Sequence, residues 1–85
     1  MINELEILKK KLLYRASYRG TKEMDILLGQ FVNKYIDEFD DIHLKELEIF
    51  LSFEDEIILN YYQYSVITKN IDQNKISKIF KCFKI

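Results

Sequence analysis

The chain has 85 residues and a mass of 10.3 kDa, with 48% hydrophobic and 32% charged residues and a formal net charge of −1. Such a composition is globular rather than disordered, and a chain shorter than the usual domain of about 100–150 residues has room for one core only. Proline is absent and glycine occurs twice. A sandwich or barrel would need turn residues at regular intervals, so the sequence predicts a single all-α domain over residues 1–85.

Leu5, Leu8, Leu12, Leu13 and Ala16 recur at helical spacing and predict a first helix from about residue 4 to residue 18. Gly20 is placed to stop it, because a left-handed backbone is nearly free of strain only for glycine. Thr21 or Gly20 then caps a second helix, with Glu23 and Asp25 in its first turn, where the helix dipole favours acids. Its core stripe is Met24, Leu27, Leu28, Phe31, Tyr35 and Ile36. Gly29 inside that helix costs about 1 kcal/mol relative to alanine, which close approach of a neighbouring helix would explain. Phe39-Asp40-Asp41 breaks the chain, and Asp41 is the expected cap of a third helix carrying Leu44, Leu47, Phe50 and Leu51. Glu54-Asp55 opens a fourth with Ile58, Tyr61 and Tyr62. Residues 68–71 read as a loop, and Asp72 as the start of a last helix with Ile76, Ile79, Phe80 and Phe83 on one face. Five short helices with brief links predict a compact bundle.

The lone cysteine, Cys82, cannot close an internal disulfide, and with the lone His43 it cannot furnish a structural zinc site. Cys82 lies among apolar residues and is expected to be partly buried and inert; His43 is expected on a helix surface. No serine nucleophile motif, phosphate-cradling glycine loop or dinucleotide fingerprint occurs. No apolar run is long enough to span a membrane. The start, Met1-Ile2-Asn3-Glu4, has neither the apolar segment of a secretory signal nor the Arg-rich, Ser-rich character of a transit peptide, so the expectation is a cytoplasmic protein or one already in its final compartment. Charge is segregated: residues 1–34 carry net +3, residues 35–68 net −8 and residues 69–85 net +4. Such blocks serve either oriented docking on a charged partner or the folding of basic ends onto an acidic middle.

The densest signal is Arg19-Gly20-Thr21-Lys22-Glu23, followed by Met24-Asp25 and by Leu27-Leu28-Gly29-Gln30-Phe31. This Arg-Gly-x-x-Glu segment resembles the flavinator family of succinate dehydrogenase assembly factors, called SdhE in bacteria. Phe50-Leu51, Glu54-Asp55 and Asn60-Tyr61 are similar to a second family segment, in which Glu56 stands at the expected proline and Tyr61 at the expected tryptophan. The resemblance implies a bacterial cytoplasmic five-helix protein that binds the flavoprotein subunit of succinate dehydrogenase and promotes covalent attachment of FAD to a histidine there. In some bacteria fumarate reductase is served as well. It further implies an assembly factor rather than an enzyme: the chemistry belongs to the flavin and the client, and no FAD is held stably by the helper.

The residues themselves point to the same segment. Arg15 and Arg19 are the only arginines against eleven lysines, and they lie one turn apart. Arginine's planar fork suits bidentate carboxylate recognition, and Tyr14 and Tyr18, also one turn apart, are of a type enriched at interfaces. The expected client-binding residues are therefore Tyr14, Arg15, Tyr18, Arg19, Gly20, Glu23 and Asp25, with Arg19 and Glu23 exposed on either side of Gly20. The competing account is an Arg19–Glu23 pair across the corner, worth about 0–1 kcal/mol. A nucleic-acid-binding or regulatory helical module is the alternative function. Basic ends and exposed tyrosines favour it, while the negative net charge and a pI of about 5.8 oppose it. The expected state is a monomer when free, with a protein client, no nucleic acid and no membrane insertion.

Overall fold

Side-chain oxygens start four of the five α-helices by accepting a free backbone N–H. In this computed structural model, which describes residues 3–84, Asn3 opens α1 (Glu4–Ser17), accepting from the Glu6 N–H at 2.8 Å. Met1-Ile2 and Ile85, included in the single-domain reading, lie outside the described residues. Thr21 opens α2 (Lys22–Tyr35) by accepting from Met24 N–H at 3.3 Å. The cap of α3 (Asp41–Leu51) is Asp40 rather than the expected Asp41, because it is the Asp40 carboxylate that accepts the His43 N–H, at 2.8 Å. That backbone bond, with a second from the His43 ring at 2.7 Å, holds the Asp40 carboxyl below its ordinary pKa. The fourth helix, α4 (Asp55–Tyr64), follows Glu54 without a side-chain cap and ends at Ser65, whose φ is 59°.

The C-terminal segment departs from the sequence expectation. Asp72 lies in a 3₁₀ turn (Ile71–Gln73), and α5 (Lys75–Lys81) begins only after Asn74. Ile71, expected in a loop, is fully buried. The first helix also stops at Ser17, one residue early. No strand occurs among the described residues, and no helix there is long and apolar enough to cross a membrane.

Helix α1 lies against α2 and α3, α3 packs on α5, and the 3₁₀ turn and α5 close on α4. Phe31 occupies the centre, with ring centroids of Phe80, Phe83 and Phe50 at 5.0, 5.3 and 6.5 Å, mostly edge to face. Every residue of the expected α2 stripe is buried except Tyr35, which is half-buried and stacks on Phe39. Gly29 is where α1 comes closest: a Cβ there would stand 3.2 Å from Ser17 Oγ. The Cα radius of gyration, 12.3 Å, matches the value of about 12 Å for a compact chain of this length. Cys82 corrects a further expectation. It is exposed, because Phe80 of α5 and Phe83 just past that helix are both buried and the cysteine between them turns outward.

Asn74 is one of two buried polar residues in this core, 5% exposed. Its Oδ1 accepts from the N–H groups of Ile76 and Ser77 at 2.8 and 3.2 Å, while its Nδ2 donates to Glu46 O at 2.8 Å. One amide thus caps α5 and ties it to α3. Asn74→Ala should lower the unfolding free energy by about 2–3 kcal/mol in a urea titration. Asn74→Asp keeps the cap but sets a carboxylate against a carbonyl, and should still cost at least about 1 kcal/mol.

Candidate functional site

The last turn of α1 and the turn after it bring the expected client-facing residues to one end of the molecule. Tyr14 and Tyr18 are 65% and 68% exposed, and their rings lie against each other with centroids 4.5 Å apart. An exposed aromatic pair of this kind buries little in the free protein and offers rigid, amphipathic contact area. Arg15 is half-buried and, among the described residues, makes no hydrogen bond or ion pair. Glu23, on the first turn of α2, is exposed and likewise unpaired among them. The chain reverses through Gly20 at φ +120°, a conformation that disfavours any residue with a Cβ.

Arg19 is not where the sequence put it. Its side chain is only 10% exposed and reaches across to the α3–α4 connection rather than to solvent or Glu23. Nε donates to Asp55 Oδ1 at 2.7 Å, Nη1 to Leu51 O at 2.6 Å and Nη2 to Phe53 O at 2.6 Å. Leu51 ends α3 and Phe53 lies just past its cap, Ser52, where carbonyls lack helical partners and a cation is favoured. The carboxylate belongs to the first turn of α4. The planar fork serves all three acceptors at once, which a lysine ammonium cannot do with the same geometry. Asp25 is also turned inward, its carboxylate accepting the Arg19 backbone N–H. Of the seven expected residues, then, Tyr14, Arg15, Tyr18 and Glu23 are free to meet a partner, whereas Arg19, Gly20 and Asp25 set the shape of the turn.

Sequence reasoning missed Asp55 as the partner of Arg19. Both residues stood in segments singled out by the resemblance, and their opposite charges were the available signal. The charge blocks are partly self-satisfied in the same way: Arg19–Asp55 and Lys9–Asp37, at 3.4 Å, both join the basic first third to the acidic middle. Among the described residues no cluster of His, Cys, Asp and Glu could hold a metal ion.

Three variants separate backbone from side-chain contributions. Arg19→Ala strands Asp55 and two carbonyls. Loss of one member of a buried pair costs about 3–5 kcal/mol, and because Asp55 is a quarter exposed the expected loss is smaller, about 2–3 kcal/mol. Arg19→Lys should fall between alanine and wild type in the same denaturant titration. For Gly20→Ala a Cβ would meet open space, the nearest atom being Asp55 Oδ2 at 4.0 Å. Only backbone strain remains, and the expected loss is about 1–2 kcal/mol.

A family model described as flavinator of succinate dehydrogenase matches residues 10–84. The chain is similar to the mitochondrial succinate dehydrogenase assembly factor 2 of Scheffersomyces stipitis, 35% identical over 81 residues that cover 95% of this chain and 51% of that protein. The protein of the same name in Dictyostelium discoideum is 38% identical over 60 residues, covering 71% of this chain and 43% of its own length. Assembly factor 2-A, mitochondrial, of Drosophila mojavensis is 50% identical over 36 residues, 42% of this chain and 23% of that protein. The chain thus spans about half the length, or less, of the curated relatives it matches. No solved structure gives a significant match. These mitochondrial relatives from eukaryotes overturn the expectation of a bacterial cytoplasmic protein. That expectation rested on a likeness drawn to the bacterial form of the family and on the composition of a few N-terminal residues. With the family model matched over most of its length, the chain belongs to the flavinator of succinate dehydrogenase family.

Proposed function

We propose that this chain assists the assembly of succinate dehydrogenase by docking on the flavoprotein subunit and promoting covalent attachment of FAD to it. The observation that carries this reading is the exposed Tyr14–Tyr18 pair with Arg15 and Glu23 beside it, on a turn locked by Arg19 within the segment that resembles the family signature. The names of the relatives, succinate dehydrogenase assembly factors, support the same role. The client carries the flavin and supplies the histidine that is modified; the helper binds no FAD stably and holds the client in a geometry that favours bond formation. The flavoprotein subunit of fumarate reductase is a client of the same kind. The helper is a monomer when free and forms a 1:1 complex burying about 1,200–2,000 Å².

Within that interface Tyr14, Arg15, Tyr18 and Glu23 make contact, while Arg19, Gly20 and Asp25 are positioning residues. Preorganisation of this kind lowers the ordering cost of association. The test is in-gel flavin fluorescence of the denatured flavoprotein subunit in a strain lacking the gene, complemented with variants. Deletion should abolish most of the covalent flavin, and wild type or Lys78→Ala should restore it. Tyr14→Ala/Tyr18→Ala and Glu23→Ala should melt within about 0.5 kcal/mol of wild type, since they remove exposed groups. They should nevertheless fail to restore flavinylation, because truncation at an interface centre costs about 2 kcal/mol or more of binding. Normal flavinylation without the gene would refute the function; normal flavinylation with both variants would refute the face.

A further inference from the structure

Beyond the turn, an open groove runs between α2 and α4, and nothing assigned so far uses it. It has a volume of about 300 Å³ and is lined by Glu23, Ile26 and Leu27 from α2 and by Leu59, Tyr62 and Gln63 from α4. That is the lower limit of ordinary small-molecule sites, room for one or two side chains rather than a flavin. Ile26 is 43% exposed, an aliphatic side chain held in solvent on the rim, whereas Leu27 is buried and Leu59 and Tyr62 are half-buried along the floor. The two ends differ in charge. Glu23, unpaired among the described residues, stands at the end nearest the Gly20 turn, and the exposed Glu56 precedes Leu59 by one turn of α4. At the other end Lys84 lies over the Tyr62 ring, 5.8 Å from its centroid.

We infer that this groove is a second contact of the docking face and receives a segment of the flavoprotein client in which an aliphatic side chain is followed by a lysine or arginine. The aliphatic group fills the space between Ile26 and Leu59, and the cation reaches Glu23. Charge decides both the class of occupant and its direction. An acidic segment would meet Glu23 and Glu56, and a basic segment laid the other way would meet Lys84. The groove is continuous with the proposed docking face through Glu23, so the inference rests on that reading and adds a chemically specified client segment to it.

The experiment places a photo-crosslinking amino acid at position 26, at position 14 and, as a control on another face, at the exposed Ile49, and irradiates each with the purified flavoprotein subunit. Position 26 should capture a client peptide that contains an aliphatic residue with a lysine or arginine beside it, and position 49 should capture none. In titrations with the same subunit Ile26→Ser should weaken binding about tenfold without lowering the melting temperature, the loss expected for one apolar contact near an interface centre. Ile26→Lys should weaken it further. Capture at position 14 but not at 26, with unchanged affinity of Ile26→Ser, would overturn the groove and leave the docking face standing. A captured peptide that is acidic, or that comes from a second copy of this chain, would overturn it too. Failure of the wild-type protein to bind the subunit would overturn the groove and the docking reading together.

Discussion

Three hydrogen bonds from one guanidinium join parts of the chain that are more than thirty residues apart, and the candidate functional end of the molecule takes its shape from them. Arg19 sits in the turn after α1, and its acceptors, Leu51 O, Phe53 O and Asp55 Oδ1, run from the last residue of α3 through the connection to the first residue of α4. Both turns would otherwise be free loops at the surface of a small domain. The end of α3 leaves carbonyls without donors, the start of α4 places a carboxylate beside them, and a planar cation satisfies all three. Asp25 then fixes the backbone at the same residue from the other side. The result is a turn with little freedom, and whatever it displays is displayed in one direction.

What it displays is kept out of that network. Tyr14 and Tyr18 touch mainly each other, and neither Arg15 nor Glu23 has an ionic partner among the described residues. Side chains tied into the fold and side chains left exposed are thus neighbours in the chain. Of the two arginines one turn apart, Arg19 is spent inside and Arg15 is left outside. The proposed docking on a larger client would gain from this division, because a face already ordered loses less entropy on association.

The platform beneath is conventional for its size. Edge-to-face phenylalanines fill the centre, four helices start on side-chain caps, and α1 seats against α2 at the one helical position without a Cβ. A domain of this length has only a few kcal/mol to lose. Polar ties such as Asn74 between α3 and α5 therefore matter as much to the fold as single core methyl groups.

Helix number, the core stripes and the close approach at Gly29 were all legible in the residue order, because periodicity, capping chemistry and the cost of a helical glycine are local properties. The candidate end of the molecule was legible too, through the Arg-Gly-x-x-Glu segment and the paired tyrosines. The roles within it were not. Whether Arg19 points to solvent, to Glu23 four residues away or to Asp55 thirty-six residues away depends on where the α3–α4 turn lands, and packing of the helices settles that. The same reason covers Asn74, which caps α5 because Glu46 O waits on α3, and the outward turn of Cys82 between two buried phenylalanines. Residue spacing sets which faces a helix has. Only the assembled helices decide which polar groups come within hydrogen-bond reach across the chain, and so which charges are used up inside and which remain for a partner.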